Sequence, residues 1–193
     1  MKSGGRSGPV AVALVHYPIY NRNRERVTTS VTTVDVHDIA RTARTYAVEP
    51  FYVVTPVQAQ REMVGRIVDH WATEGRRRDH PRAEAISKVR LVPSLEGAVS
   101  DFIAEYGVEP LTVVTGASMK SDIIPFEKVR EIMATMNEKG LLLVFGTGWG
   151  LTADLAGAAD IRLEPIKGVD GFNHLPVRAA VAIVLDRLIG PSL

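Results

Sequence analysis

The sequence predicts an α/β fold, a mainly parallel sheet with helices on both faces, and three observations lead there. Apolar runs of four to six residues recur at 10–15 (VAVALV), 51–54 (FYVV), 111–115 (LTVVT) and 141–145 (LLLVF). They are too short for ordinary helices and lack the alternation of a half-exposed strand, as expected for strands buried on both faces. Stretches with helical apolar spacing separate them, which is the order of a parallel sheet. Neither a repeat of 20 to 50 residues nor a Pro- or Ser-rich linker divides the chain, so residues 10–193 read as one domain.

Val10–Val15 is the first strand, ending in His16-Tyr17-Pro18. Ile19 to Thr33 has no apolar period and reads as a long loop; its Arg22, Arg24 and Arg26 suit either solvent or phosphate. A helix begins at Asp35, with Val36, Ile39, Ala40, Ala43 and Ala47 on one side and His37, Arg41 and Arg44 sharing the other. Phe51 to Thr55 is the second strand, closed by Pro56. Val57 to Trp71 is helical, and Met63, Ile67 and Trp71 at four-residue steps put the indole in the core.

The connection from Thr73 to Arg82 holds the densest positive charge in the chain, Arg76, Arg77 and Arg78, a fit to solvent or to an RNA backbone. Val89–Val92 is the third strand, followed by a helix capped near Ser94 and stopped at Tyr106-Gly107. Leu111–Thr115 is the fourth strand, Pro125 opens a helix that Gly140 stops, and Leu141–Phe145 is the fifth strand.

At the end of that strand, Gly146, Gly148 and Gly150 alternate with Thr147 and Trp149. Such a loop serves either as a ligand cradle at a strand end or as a bare turn. The spacing is G-x-G-x-G, so the dinucleotide fingerprint and the NAD-dependent oxidoreductase it would mark fit poorly. A second loop with Gly168 and Gly171 leads to Asn173-His174-Leu175-Pro176, where the proline suits a first helical turn. From Ala179 to Leu185 every residue is apolar, so this last helix is expected to be covered all round, and a subunit interface would do so.

These two segments resemble the C-terminal motifs of the SPOUT (α/β-knot) superfamily of S-adenosylmethionine-dependent RNA methyltransferases: Phe145-Gly146 with Gly150-Leu151, and the helix start from Asn173 to Ala180. The runs FGTGWGL and NHL-x-VR resemble one bacterial branch still more closely, and the likeness extends from about Val10 to Gly190. Asp38-Ile39-Ala40-Arg41-Thr42-Ala43 resembles the first SPOUT motif.

The resemblance implies a C-terminal trefoil knot, S-adenosylmethionine as cofactor, a tRNA or rRNA substrate and a homodimer formed through the last helix. It also implies a cofactor cleft of Thr115, Gly146, Thr147, Gly148, Gly150, Leu151, Leu163, Pro165, Ile166, Asn173, His174, Leu175 and Ala180. Arg41 takes the position of the arginine that ribose-methylating members place at the reacting hydroxyl, and one subunit's Arg41 would reach cofactor held by the other. Arginine is a poor general base at its usual pKa, so orientation of the nucleophile or stabilisation of oxyanion character is the chemistry expected of it.

This chain departs from the ribose methylases at two places: Thr147-Gly148 stands where they often carry a glutamate, and Pro176 and Ala179 stand near their serines. Base N-methylation with Asp170 as proton acceptor therefore stays open beside ribose 2′-O-methylation. So does a non-catalytic module that binds cofactor or RNA on the same scaffold.

Composition bounds the remaining classes. The chain has no cysteine, so neither a disulfide framework nor a thiolate metal site is available, which fits the cytoplasm. The five histidines show no paired metal spacing, so no metal is expected. No apolar stretch approaches the roughly 20 residues that span a bilayer, and residues 1–9 read as a flexible basic tail. Net charge is +1, but residues 1–100 carry 15 Lys and Arg against 10 Asp and Glu, and residues 101–193 carry 8 against 12. That asymmetry suits either ordinary scatter on a solvated surface or an N-terminal half that faces a polyanion, and the resemblance implies RNA contact by Arg22, Arg24, Arg26, Arg44 and Arg76–Arg78.

Overall fold

The computed structural model describes residues 8–75, 80–136 and 138–191. Its strands are β1 (Val10–Val15), β2 (Ile19–Tyr20), β3 (Arg26–Val27), β4 (Phe51–Val54), β5 (Val89–Val92), β6 (Pro110–Thr115), β7 (Ile123–Ile124), β8 (Gly140–Gly146) and β9 (Ile161–Leu163). Its helices are α1 (Thr33–Thr45), α2 (Gln58–His70), α3 (Pro81–Ile86), α4 (Leu95–Tyr106), α5 (Phe126–Thr135), α6 (Ala153–Ala158) and α7 (Val177–Ile189). Seven strands form one sheet in the order β5-β4-β1-β8-β6-β9-β7, and every neighbouring pair is parallel.

The side-chain alternation of β1 sorts the helices between the two faces. Val10, Val12 and Leu14 point into a core built with α1, α2, α3, α5 and α7. Ala11, Ala13 and Val15 point into a second core with Phe102 and Ala98 of α4, against which Leu155 and Ala156 of α6 pack. Every residue of β1 and β4 is buried, as their unbroken apolar runs require.

Local chemistry sets the helix ends. The Thr32 hydroxyl accepts the Asp35 N–H and donates to the Asp35 carboxylate at 2.6 Å, so Thr32 is the N-cap and α1 begins two residues before Asp35. Ser94 caps α4 in the same way, and Gly107 ends it with φ +69°. Trp71 leaves α2 in a single π turn, half-buried against the first core, with the Arg82 guanidinium 5.1 Å from its ring centre.

The structure corrects the sequence reading in two places. The stretch from Ile19 to Thr33 contains the β2–β3 hairpin, whose turn is held by Asn21: its side-chain oxygen accepts the N–H groups of Asn23 and Glu25, each at 2.9 Å. The short strands β7 and β9 extend the sheet edge, and α3 begins at Pro81, in the last two residues of the region read as a connection, and runs on to Ile86. Helix α7 is not covered all round by its own chain: Val181, Val184, Leu185 and Leu188 are buried, whereas Ala179, Ala180, Ala182 and Ile183 are only partly covered. Among the described residues, no helix is long and apolar enough to cross a membrane.

Candidate active site

Parallel pairing brings the carboxyl ends of β1, β8 and β6 side by side: Val15 lies opposite Gly146, and Thr115 opposite Phe145. Ligands of open α/β sheets bind beyond such ends. A cleft of about 1230 Å³ opens there, lined from β6 by Thr115–Met119, from β8 and its loop by Phe145–Leu151, and from the last loop and α7 by Ile166, Asn173–Arg178 and Ala180. Pockets that hold one small molecule run to about 1,000 Å³, so this one has room for a second group.

The glycine spacing is explained by the turn it makes. The Gly150 N–H donates to the Thr147 carbonyl at 3.0 Å, and Gly148 at the first central position has φ +56° while Trp149 does not share the left-handed region. That is the type II′ pattern, which asks for glycine at the first central position. The turn is stitched to the β2–β3 hairpin. Tyr20 accepts from the Trp149 N–H at 3.0 Å and donates to the Gly150 carbonyl at 2.9 Å. A Cβ at Gly146 would lie 2.9 Å from Leu151, so the strand can enter the turn only without a side chain there.

Beneath the turn a polar relay runs from the cleft wall to a buried imidazole. The Thr147 hydroxyl donates to the Val15 carbonyl at 3.2 Å and lies 2.5 Å from the Thr29 hydroxyl, which lies 3.0 Å from His16 Nδ1. With the Thr147 hydrogen committed to Val15, Thr29 donates to Thr147 and His16 donates to Thr29 through Nδ1–H. His16 is fully buried, and its Nε2 has no hydrogen-bond partner among the described residues. Burial lowers the imidazole pKa to about 4, against the opposing pull of Asp35 and a bond to Thr29.

A folded-state pKa of about 4 against the ordinary 6.5 of a free imidazole means that the native state favours the neutral ring. Its contribution is complete above pH 6.5 and is lost as pH falls from 6.5 toward 4. Urea denaturation should therefore show stability dropping by up to about 3 kcal/mol across that window. His16→Asn keeps a donor without titrating, and its stability should not show this component.

Asp35 is the one carboxylate that lines the cleft among the described residues. Arg178 Nη1 lies 3.4 Å from its Oδ1, and Arg178 Nε lies 3.6 Å from Asp38. Arg178 also lines a second, smaller hollow of about 450 Å³ with Asp38, Arg41, Thr42, Thr45 and Ala179. Arg41 thus lies on the far side of Arg178 from the large cleft.

The predicted residues divide accordingly. Thr115, Gly146, Thr147, Gly148, Gly150, Leu151, Ile166, Asn173, His174, Leu175 and Ala180 meet in the large cleft. Leu163 is fully buried in β9, and Pro165 is half-buried; neither is in the lining. Asp170 also lies outside the lining; its carboxylate accepts the Phe172 N–H at 3.1 Å and shapes the loop.

Of the arginines, Arg24 reaches the cleft, stacked 4.1 Å from the centre of the Tyr20 ring. Arg26 is paired with Asp154 and Arg44 with Glu84, and Arg22 is exposed outside the cleft. Arg76, Arg77 and Arg78 lie outside the described residues. Sequence reasoning missed Tyr20, Thr29 and Asp35 as cleft residues; the asparagine-rich turn after Tyr20 was the available sign of the hairpin that delivers the first.

The chain matches, over residues 9–190, the model of a family described as SAM-dependent RNA methyltransferase. It is 41% identical over 180 residues to an uncharacterized protein of Aquifex aeolicus, covering 93% of this chain and 87% of that protein. It is 38% identical over 179 residues to a tRNA (guanine-N(1)-)-methyltransferase of Nitratidesulfovibrio vulgaris, covering 92% of this chain but 41% of the relative. The chain thus spans less than half the length of that named enzyme.

Among solved structures it is similar to the TrmH/SpoU tRNA modifying enzyme of A. aeolicus, with a TM-score of 0.52 at 14% identity, covering 95% of this chain and 74% of that one. That likeness shows that the two chains share one α/β fold. With the cleft at the strand ends and a family match over almost its whole length, the chain belongs to the S-adenosylmethionine-dependent RNA methyltransferases.

Proposed function

We propose that the large cleft holds S-adenosylmethionine against the Gly146–Leu151 turn and the Ile166–Leu175 loop, and that a nucleotide of RNA, from tRNA or rRNA, enters beside it. The observation that carries this reading is the convergence of three strand-end segments, distant in sequence, on one cleft with room for two groups. Its lining suits the cofactor: Leu151, Ile166, Leu175 and Ala180 offer apolar surface for an adenine, and the strand-end backbone offers N–H and C=O groups to the ribose and purine edge. When bound, S-adenosylmethionine supplies an activated methyl group and its own leaving group. The protein's share is alignment of the nucleophile and management of its proton.

Arg41 is assigned to the nucleophile, orienting it or stabilising developing oxyanion character, and it does so from the partner subunit. The partly covered Ala179, Ala182 and Ile183 of α7, next to the Arg41 hollow, support a homodimer through α7 and α1. The loop from Leu163 to Leu175 is read as the threaded part of a trefoil knot. The lack of cysteine supports a cytoplasmic enzyme.

Calorimetric titration tests the cofactor assignment. Micromolar or tighter binding of S-adenosylmethionine is expected, with no binding of NAD; NAD binding without S-adenosylmethionine binding would overturn it.

A further inference from the structure

Exposed large apolar side chains are unremarkable when scattered and informative when grouped. Here Trp149 (57% exposed), Phe172 (69% exposed) and Leu175 (43% exposed) stand on the two loops that bound the cleft. Trp149 lines the cleft and is fixed there from behind. Its N–H is bonded to Tyr20, and the turn around it is closed by the Gly150 N–H, so the backbone is anchored while the indole stays open to solvent. Tyr20 lines the same cleft under the Arg24 guanidinium. The Phe172 ring meets His174, another lining residue, edge-on at 5.5 Å.

The charges at this rim are unbalanced. Arg24 and Lys120 line the cleft with no ion-pair partner among the described residues, whereas the single lining carboxylate, Asp35, is already engaged by Thr32 and Arg178. Exposed aromatic faces beside uncompensated cations match one chemistry in an RNA ligand: a base to stack and a phosphate to neutralise. A base presents a free face only when it is out of a helix, since A-form duplexes keep their bases stacked.

We propose that the rim takes an unpaired nucleotide of the substrate RNA, its base stacked on Trp149 and its neighbouring phosphate held by Arg24 and Lys120. The substrate class is then a loop or single-stranded segment and not a continuous duplex. This rests on the reading of the cleft as the methyl-transfer site, and it concerns the RNA side of that site alone.

The chain has two tryptophans, so Trp71→Phe leaves Trp149 as its only indole. In that background, an unpaired oligoribonucleotide of about ten residues should quench the fluorescence saturably, and the duplex with its complement should not. With a fluorescently labelled strand followed by anisotropy, Trp149→Ala should bind the unpaired strand about tenfold or more weakly, and Trp149→Phe should recover most of that loss. The strand is titrated without S-adenosylmethionine, so that any change in the cofactor wall does not enter the comparison.

Unchanged binding of the unpaired strand by Trp149→Ala would overturn the proposal. So would equal quenching by the duplex, or loss of a dimer in Trp149→Ala, which would assign the rim to a second copy of the chain. If the parent fails to bind S-adenosylmethionine yet Trp149 is quenched by the unpaired strand, the cofactor reading falls and the stacking surface stands.

Discussion

Gly148→Val is expected to abolish S-adenosylmethionine binding, with an affinity loss of about 100-fold or more. Two independent effects combine. Gly148 has φ +56°, a conformation that a β-branched residue adopts only under strain of roughly 1–3 kcal/mol. Its Cβ would also lie 3.2 Å from the Ile19 and Thr29 methyl groups and 3.3 Å from the Tyr20 carbonyl, the surface onto which the turn is stitched. The turn can relieve both only by lifting away from the hairpin, which breaks the Trp149-to-Tyr20 and Tyr20-to-Gly150 bonds and moves the wall of the cleft.

Calorimetry reads the affinity, and urea denaturation reports whether the chain stays folded. A control at Gly65 in α2 separates the site effect from a general glycine effect: its Cβ would meet only Leu91, at 3.7 Å, so Gly65→Ala should bind normally. Wild-type affinity in a folded Gly148→Val protein would remove the turn from the cofactor site.

The contrast between these two glycines shows what could be read in the sequence and what could not. The central strands declared themselves because burial on both faces leaves an apolar run whatever the rest of the chain does, as in β1, β4 and β8. The Gly146–Gly150 turn was legible because its backbone conformation restricts which residues can occupy it. The β2–β3 hairpin was not: each strand has two residues, and it holds its place through tertiary bonds to the Gly-rich turn that no local pattern encodes.

The site shows the same limit. His16 and Arg178 could be named from their positions beside a strand end and a helix start. The pairing of Arg178 with Asp35 and Asp38, across more than 130 residues of sequence, belongs to the packing of α1 against α7. Asp35 reads in sequence as the residue that opens a helix, whereas the cap is Thr32, whose hydroxyl donates to Asp35; that the Asp35 carboxylate also faces the cleft depends on where the helix lands.

Arg41→Ala is expected to lower the rate of methyl transfer by about 100-fold or more, the usual cost of losing one preorganised donor at a developing charge, while cofactor affinity stays unchanged. The second half of that expectation follows from geometry. Arg41 lines the hollow beyond Arg178 and does not line the cleft in its own chain, so its removal leaves the cofactor wall intact. The same geometry makes a sharper test possible. If Arg41 acts in the partner's site, Arg41→Ala and Gly148→Val fail for complementary reasons, one lacking the arginine and the other the cofactor site.

In a mixed dimer, the Arg41→Ala subunit still holds cofactor and receives Arg41 from the Gly148→Val subunit, so one of the two sites is complete. Random reassociation of equal amounts should then restore roughly a quarter of wild-type activity from two nearly inactive proteins. Action within one chain gives no recovery, because each subunit of the mixed dimer carries its own defect. Recovery near a quarter would place Arg41 across the interface, and its absence in mixtures shown to exchange subunits would confine the arginine to its own chain, where Arg178 would have to move to let it reach the cleft.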